Sequence, residues 1–255
     1  MYHRNALKAQ LYCSNTFEIK YSMICVETDE ILRNLGILQI SDSFLPTGMY
    51  SMSSGLEMLA SIGAIPRKSL VEFISVQIAQ QIGPCDCIIL GCVMDAAAAG
   101  DAKRIAEIDQ VASAIKTVRV AREASRSSGT QLLRVSERIC SDKLLSEFAQ
   151  LAANDSTPCM YPVAFGVCAH ALKIDKVRAG LSLLYGFAVS MVGAALRLGL
   201  IHHFDGQEII HELKLAIADA SKYTDSSMSE IWQFAPQAEI LQMKHEARDS
   251  KMFIT

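Results

Sequence analysis

Proline is absent from everything between Pro84 and Pro158, and the whole 255-residue chain holds only six prolines and 14 glycines. With few runs of β-branched alternation as well, that scarcity argues against a chain of short strands and turns and leaves room for long helices. Charge is also sparse, 20% of residues against 51% hydrophobic, which excludes disorder over most of the length and permits a large buried core. A formal net charge of −3 gives no general attraction for phosphate, so nucleic acid is not an expected partner. The segment Met1–Lys8 lacks the apolar run of a secretory leader, and a chain with a good core does not need its eight cysteines as disulfide staples. Free thiols and a cytoplasmic location are the expectation.

Catalytic signatures are missing too. There is no G-x-x-x-x-G-K-[ST] loop to cradle a nucleotide phosphate and no G-x-S-x-G nucleophile turn. His245-Glu-Ala-Arg-Asp249 starts like a zinc-protease helix but carries Asp249 where the second histidine must face the metal. No repeat of fixed period and no low-complexity linker divides the chain. These absences point away from an enzyme and toward a single domain without a stably bound cofactor.

What is present reads as helix after helix. Ser54 with Glu57 and Ser69 with Glu72 have capping-box spacing, Pro84 suits a first helical turn, and Asp29 and Glu30 suit an N-terminal dipole. Asp101, Ser141, Asp175, Asp205 and Asp225 are further cap candidates. The fold class expected is all-α, a single globular bundle of about ten helices around a central apolar helix at about 176–199. Within that helix Ala179 to Leu196 carries no charge, the lower limit of a membrane span. Its small residues Ser182, Gly186, Ser190 and Ala194 recur every four positions, which fits close helix packing in a soluble core better than a membrane role. Residues 1–28 form an N-terminal extension. Phe17, Ile19, Tyr21 and Met23 alternate with polar residues there, as in a short strand, and an untethered extension is the alternative. The helical domain is expected over 29–242 and a tail over 243–255.

Three groups of side chains are candidates for chemistry or docking. Cys85, Cys87 and Cys92 are the densest thiol cluster. Cys85 and Cys92 share a helical face, but Cys87 is turned roughly 200° from Cys85, so buried apolar packing is favoured over a metal site. His202, His203 and Asp205 offer imidazole and carboxylate at a helix boundary, ligand types that nickel accepts in transient contact; solvated histidines are the bland alternative. Lys116, Arg119, Arg122 and Arg126 fall on one helical stripe, either a solvated face or a groove for an acidic partner surface. Arg197, after the long apolar run, is expected to bond helix C-terminal carbonyls or to pair with an acid such as Asp205.

The order of residues in Gln39-Ile-Ser-Asp-Ser-Phe-Leu-Pro-Thr-Gly-Met-Tyr-Ser-Met-Ser-Ser-Gly-Leu-Glu57 goes beyond what a helix-to-helix loop requires. Through Ser41, Asp42, Ser43, Pro46, Gly48, Gly55 and Glu57 it resembles the opening segment of the urease accessory protein F (UreF) family, Q-L-S-D-S-A-L-P-x-G-G-F-S-x-S-x-G-L-E; Phe44 and Met49 depart from it. Arg122-Glu-Ala-Ser-Arg-Ser-Ser-Gly-Thr-Gln-Leu-Leu-Arg134 is similar to that family's central helix, and Tyr161–Gly166 to its H-Y-P-V-x-F-G step. The run from Leu184 through Arg197 to Gly199, followed by Asp205, Gly206 and Gln207, resembles its late helix and D-G-Q turn. His245, Glu246, Ser250, Lys251, Met252 and Phe253 resemble its M-x-H-E and S-R-L-F tail, with lysine and methionine in place of arginine and leucine.

The resemblance implies a urease maturation chaperone or adaptor, not an enzyme. It implies a homodimer that binds a D/H-type urease accessory protein through outlying surfaces and a tail that orders on the partner; Phe253, the tail's aromatic ring, is the expected anchor. It further implies recruitment of the nickel-delivering urease GTPase and presentation of the assembly to apo-urease, nickel passing through the complex. The alternative class is an unrelated helical enzyme or a membrane-associated helical protein.

Overall fold

The computed structural model describes the backbone of residues 15–63 and 65–255 and the side chains from residue 28 onward, Ala64 excepted. Eleven α-helices are present among these residues, and no strand. They are α1 (Asn15–Ile40), α2 (Leu56–Ile62), α3 (Arg67–Gln77), α4 (Ile88–Ala98), α5 (Ala102–Ile115), α6 (Arg119–Ile139), α7 (Lys143–Ala153), α8 (Tyr161–Ala171), α9 (Lys176–Arg197), α10 (His203–Ser221) and α11 (Pro236–Glu246). A π-helical stretch, Ile78–Cys87, joins α3 and α4 into one helix from Arg67 to Ala98. Counting that unit once gives ten, and the fold is all-α.

The first residues described differ from the sequence reading. Phe17 to Met23 lie inside α1, not in a strand, and Asp29 and Glu30 sit in its interior. Four alternating residues are a weak period, and with no proline or glycine before Gly36 nothing stops helix propagation through them. Residues 1–14 of the expected extension lie outside the described residues. Helix α1 runs through residue 28 and α11 through 243, so neither expected boundary coincides with the end of an element.

Pro84 is the second departure. It stands inside the helix instead of opening one, and the wider π winding accommodates it. Pro84 cannot donate to the carbonyl of Gln80; the Phe234 N–H takes that carbonyl at 2.8 Å, and the Trp232 N–H reaches the Pro84 carbonyl at 3.2 Å. The extended segment before α11 thus gives both carbonyls of the π-helical stretch a backbone donor. Every residue from Ile82 to Gly91 is buried, as is Pro162 to Ala169 of α8, so these two segments share the centre of the bundle with α9. The Arg67–Ala98 helix and α9 are both long and apolar enough to cross a bilayer, but 78% and 61% of their most apolar stretches are buried inside the protein, as core helices require.

Helix starts follow side-chain chemistry, though not always at the residue expected. Asp101 and Asp175 accept from the N–H groups of Arg104 and Arg178. Asp142, one place after Ser141, caps α7 through Leu145. Ser69 and Glu72 fall within α3, which starts after Pro66, and Asp225 ends a 3-10 turn next to Lys176. Buried Asp109 of α5 accepts from the Thr157 hydroxyl (2.5 Å) and from the Cys159 (2.5 Å) and Met160 (2.8 Å) N–H groups, which fixes the entry to α8.

Candidate functional site

The loop between α1 and α2 carries the residues singled out in the sequence. Asp42 bends its start by accepting the Phe44 N–H at 2.9 Å. A 3-10 turn, Met49–Ser51, follows, and the Met49 carbonyl accepts the Ser190 hydroxyl of α9 at 2.9 Å. Gly48 and Gly55 take φ of +84° and +89°, values that a side chain at either place would strain. Gly55 is the N-cap residue of α2, so Ser54 and Glu57 do not form a capping box; the Glu57 N–H bonds the buried Ser53 hydroxyl instead.

Freed from capping, the Glu57 carboxylate points to the C-terminal segment. Its Oε2 lies 2.7 Å from His245 Nε2 and accepts the Phe253 N–H at 3.0 Å, while Oε1 accepts the Met252 N–H at 2.9 Å. Beyond them the Ile254 N–H donates to the Ser51 carbonyl (2.8 Å), and the Ser53 N–H and hydroxyl both bond the Thr255 carbonyl. Burial pushes the Glu57 carboxyl up, but the Met252, His245 and Phe253 donors outweigh it and hold the group below its ordinary 4.5. Around this junction Lys251 Nζ donates to the Glu246 carbonyl at 2.9 Å, and the Glu246 carboxylate pairs with Arg119 of α6.

The expected tail residues therefore divide. His245 and Phe253 are buried, 0% and 3% exposed, inside this chain's own fold, so in this state Phe253 is not offered as a partner's anchor. The reason is the Glu57 carboxylate, which gives the segment intramolecular partners that the sequence did not reveal. Met252 and Ile254 flank Phe253 at 63% and 53% exposed, the alternation of an extended segment, and Ser250 and Lys251 also face solvent.

Arg197 projects from the end of α9 between two aromatic rings, its guanidinium carbon 3.7 Å from the Tyr50 centroid and 4.4 Å from that of Phe253. Its Nε bonds the Gly193 carbonyl at 3.0 Å, the C-terminal carbonyl contact that was expected. Asp205 is not its partner, being the acceptor for the His202 N–H (2.9 Å) at the start of α10. A cleft of about 650 Å³ lies beside this stack, lined among others by Asp42, Tyr50, Gly193, Arg197, His203 and Gln207. His203 and Gly206–Gln207 thus adjoin the motif loop, while the Asp205 carboxylate is committed to the helix start.

The cationic stripe is shorter than its spacing suggests. Lys116 precedes α6, is buried, and pairs with Asp86 at 2.7 Å. Arg119, Arg122 and Arg126 do share α6, each with an internal partner: Glu123 and Glu246, the Lys116 carbonyl (2.8 Å), and Asp155 (2.5 Å). Cys85 and Cys87 are fully buried; burial raises both thiols, Cys85 to about 12, which suits packing residues. Among the described residues no three His, Cys, Asp or Glu side chains are grouped to hold a metal ion. Sequence reasoning missed Ser53, Tyr50 and Thr255 as parts of the junction, because their partners are distant along the chain, about 200 positions for the Ser53–Thr255 pair and 147 for Tyr50 and Arg197.

Comparison with known proteins adds an independent line. The UreF family model matches residues 66–214. Urease accessory protein UreF of Trichodesmium erythraeum is 29% identical over 226 residues, covering 88% of this chain and 97% of that protein. Its counterpart in Actinobacillus pleuropneumoniae serotype 5b is 28% identical over 221 residues (86% and 97%), and urease accessory protein UreF 1 of Brucella melitensis is 29% identical over 221 (86% and 92%).

Proposed function

The chain belongs to the UreF family of urease accessory proteins, and from that premise we propose that it acts by binding and not by catalysis, as a cytoplasmic adaptor in urease maturation. In this reading it joins a D/H-type urease accessory protein to the nickel-delivering GTPase and presents the assembly to apo-urease, with nickel handled within the complex. The observation that carries the partner contact is the exposure of four apolar side chains, Ile240 and Met243 on α11 and Met252 and Ile254 on the docked tail. Scattered exposed apolar residues are ordinary, but these belong to one helix and the segment that follows it, and Lys251 lies between them.

Changing Met252 and Ile254 together to aspartate is expected to weaken binding of the D/H-type protein at least about tenfold, because two apolar contacts would be replaced by charges needing desolvation. Titration calorimetry measures it. Melting temperature should hardly move, since both side chains are exposed; unchanged affinity would refute the assignment of this surface.

A homodimer is part of the proposal. Ile31, Leu35 and Leu38 recur at helical spacing on α1 and are 55–67% exposed, with Leu32 beside them, an apolar face suited to a second copy. Light scattering at micromolar concentration should give about twice 27.9 kDa. A monomer across the accessible range would contradict it.

A further inference from the structure

Glu57 is the only residue of the α1–α2 loop and the start of α2 whose side chain receives three donors from a segment about 190 positions away. Two of the donors are backbone N–H groups, which no other acceptor among the described residues takes, and the third is the ring of a fully buried histidine. Both carboxylate oxygens are used, each within 3.0 Å of its donors. We propose that Glu57 is a latch for residues 248–255: the ionised carboxylate positions the tail on the loop, and without that charge the tail detaches while the helical bundle stays folded.

The chemistry favours the carboxylate over apolar burial as the deciding contact. Phe253 is the one large tail side chain that is buried, whereas Met252 and Ile254 are exposed, so the tail has little apolar area with which to hold itself down. A carboxylate accepting several N–H bonds forms charge-assisted contacts, and its loss leaves the Met252 and Phe253 N–H groups without acceptors. Glutamine cannot replace it. One oxygen becomes an NH₂ group facing a donor, so at least one bond turns into a repulsive contact.

The titratable and charged groups around the latch are His245 and Glu246 on α11, Arg119 on α6 paired with Glu246, Lys251 in the tail, and Arg197 on α9 against the Phe253 ring. Glu57 is the carboxyl whose oxygens touch the tail amides. Because docking holds that carboxyl below 4.5, protonation is linked to release: the carboxylate's contribution to docking is present above about pH 4.5 and is lost as pH falls through the lower value.

The test uses the full chain without any partner, so it stands apart from the adaptor reading. Limited trypsin digestion cuts after Arg248 and Lys251, and intact mass reports the rate. Glu57→Gln is expected to speed cleavage at both sites about tenfold or more, with helical circular dichroism preserved. His245→Gln, which leaves both backbone bonds in place, should speed it less. Equal rates in wild type and Glu57→Gln, or a larger effect from His245→Gln, would overturn the latch. If Glu57→Gln does not fold, amide NMR of the wild type decides: the Met252 and Phe253 protons should move together with one midpoint below pH 4.5. Shifts that ignore pH across that range would refute it.

Discussion

Replacing Gly129 by alanine is expected to destabilise the protein by about 3 kcal/mol, and more if the two helices cannot separate. Gly129 is where α6 crosses the entry to α8. A Cβ there would overlap the Cys159 carbonyl oxygen and stand 2.9 Å from the Met160 carbonyl carbon, both main-chain atoms with no rotamer to yield. Nor can that strand of chain back away, because Asp109 holds the Cys159 and Met160 N–H groups from the other side. For a chain of this size the loss amounts to roughly 6–12 °C in melting temperature, readable by circular dichroism. Gly186→Ala is the control: it is helical, faces open space, and should be neutral or raise stability by up to about 1 kcal/mol. Equal melting of both variants would show that the crossing is looser than the geometry requires.

Lys116→Met should cost about 3–5 kcal/mol, because it strands the Asp86 carboxylate in the core. The two side chains are only 9% and 10% exposed and 2.7 Å apart, next to the fully buried Cys85 and Cys87. Burial alone would push the lysine down; the Asp86 charge outweighs it and leaves the ammonium above its ordinary 10.5. A raised lysine contributes stability that is complete below pH 10.5 and is lost as pH climbs through the higher folded value. Replacing both partners by apolar residues removes the stranded charge, so the double variant Lys116→Met/Asp86→Leu should recover most of the loss. Urea unfolding of the two single variants and the double gives the coupling. Additive losses would mean that the ion pair does not act as a unit.

The lysine also shows where reading along the chain stops. Its spacing to Arg119, Arg122 and Arg126 is helical, but α6 starts only at Arg119, and a residue before a helix start owes nothing to the helix period. Pro84 and Glu57 fail for related reasons. A proline at a first turn and a glutamate three places after a serine are the common local solutions, and both were displaced by distant partners: the 232–234 segment for one, the tail for the other. The family resemblance, in contrast, needed no tertiary information, since it lay in the order of residues in several segments.

Composition and period alone determined the all-α class, the long apolar helix at Lys176–Arg197, and the caps at Asp101 and Asp175, because each depends on neighbours within one helical turn. The tertiary structure decided which polar groups are buried and with whom. Glu57, His245 and Phe253 meet across nearly two hundred residues, Lys116 finds Asp86 across thirty, and Arg197 is stacked between Tyr50 and Phe253. Those pairings are set by how the helices cross, and the free energy of a buried polar contact belongs to both partners at once, so neither sequence segment carries it alone.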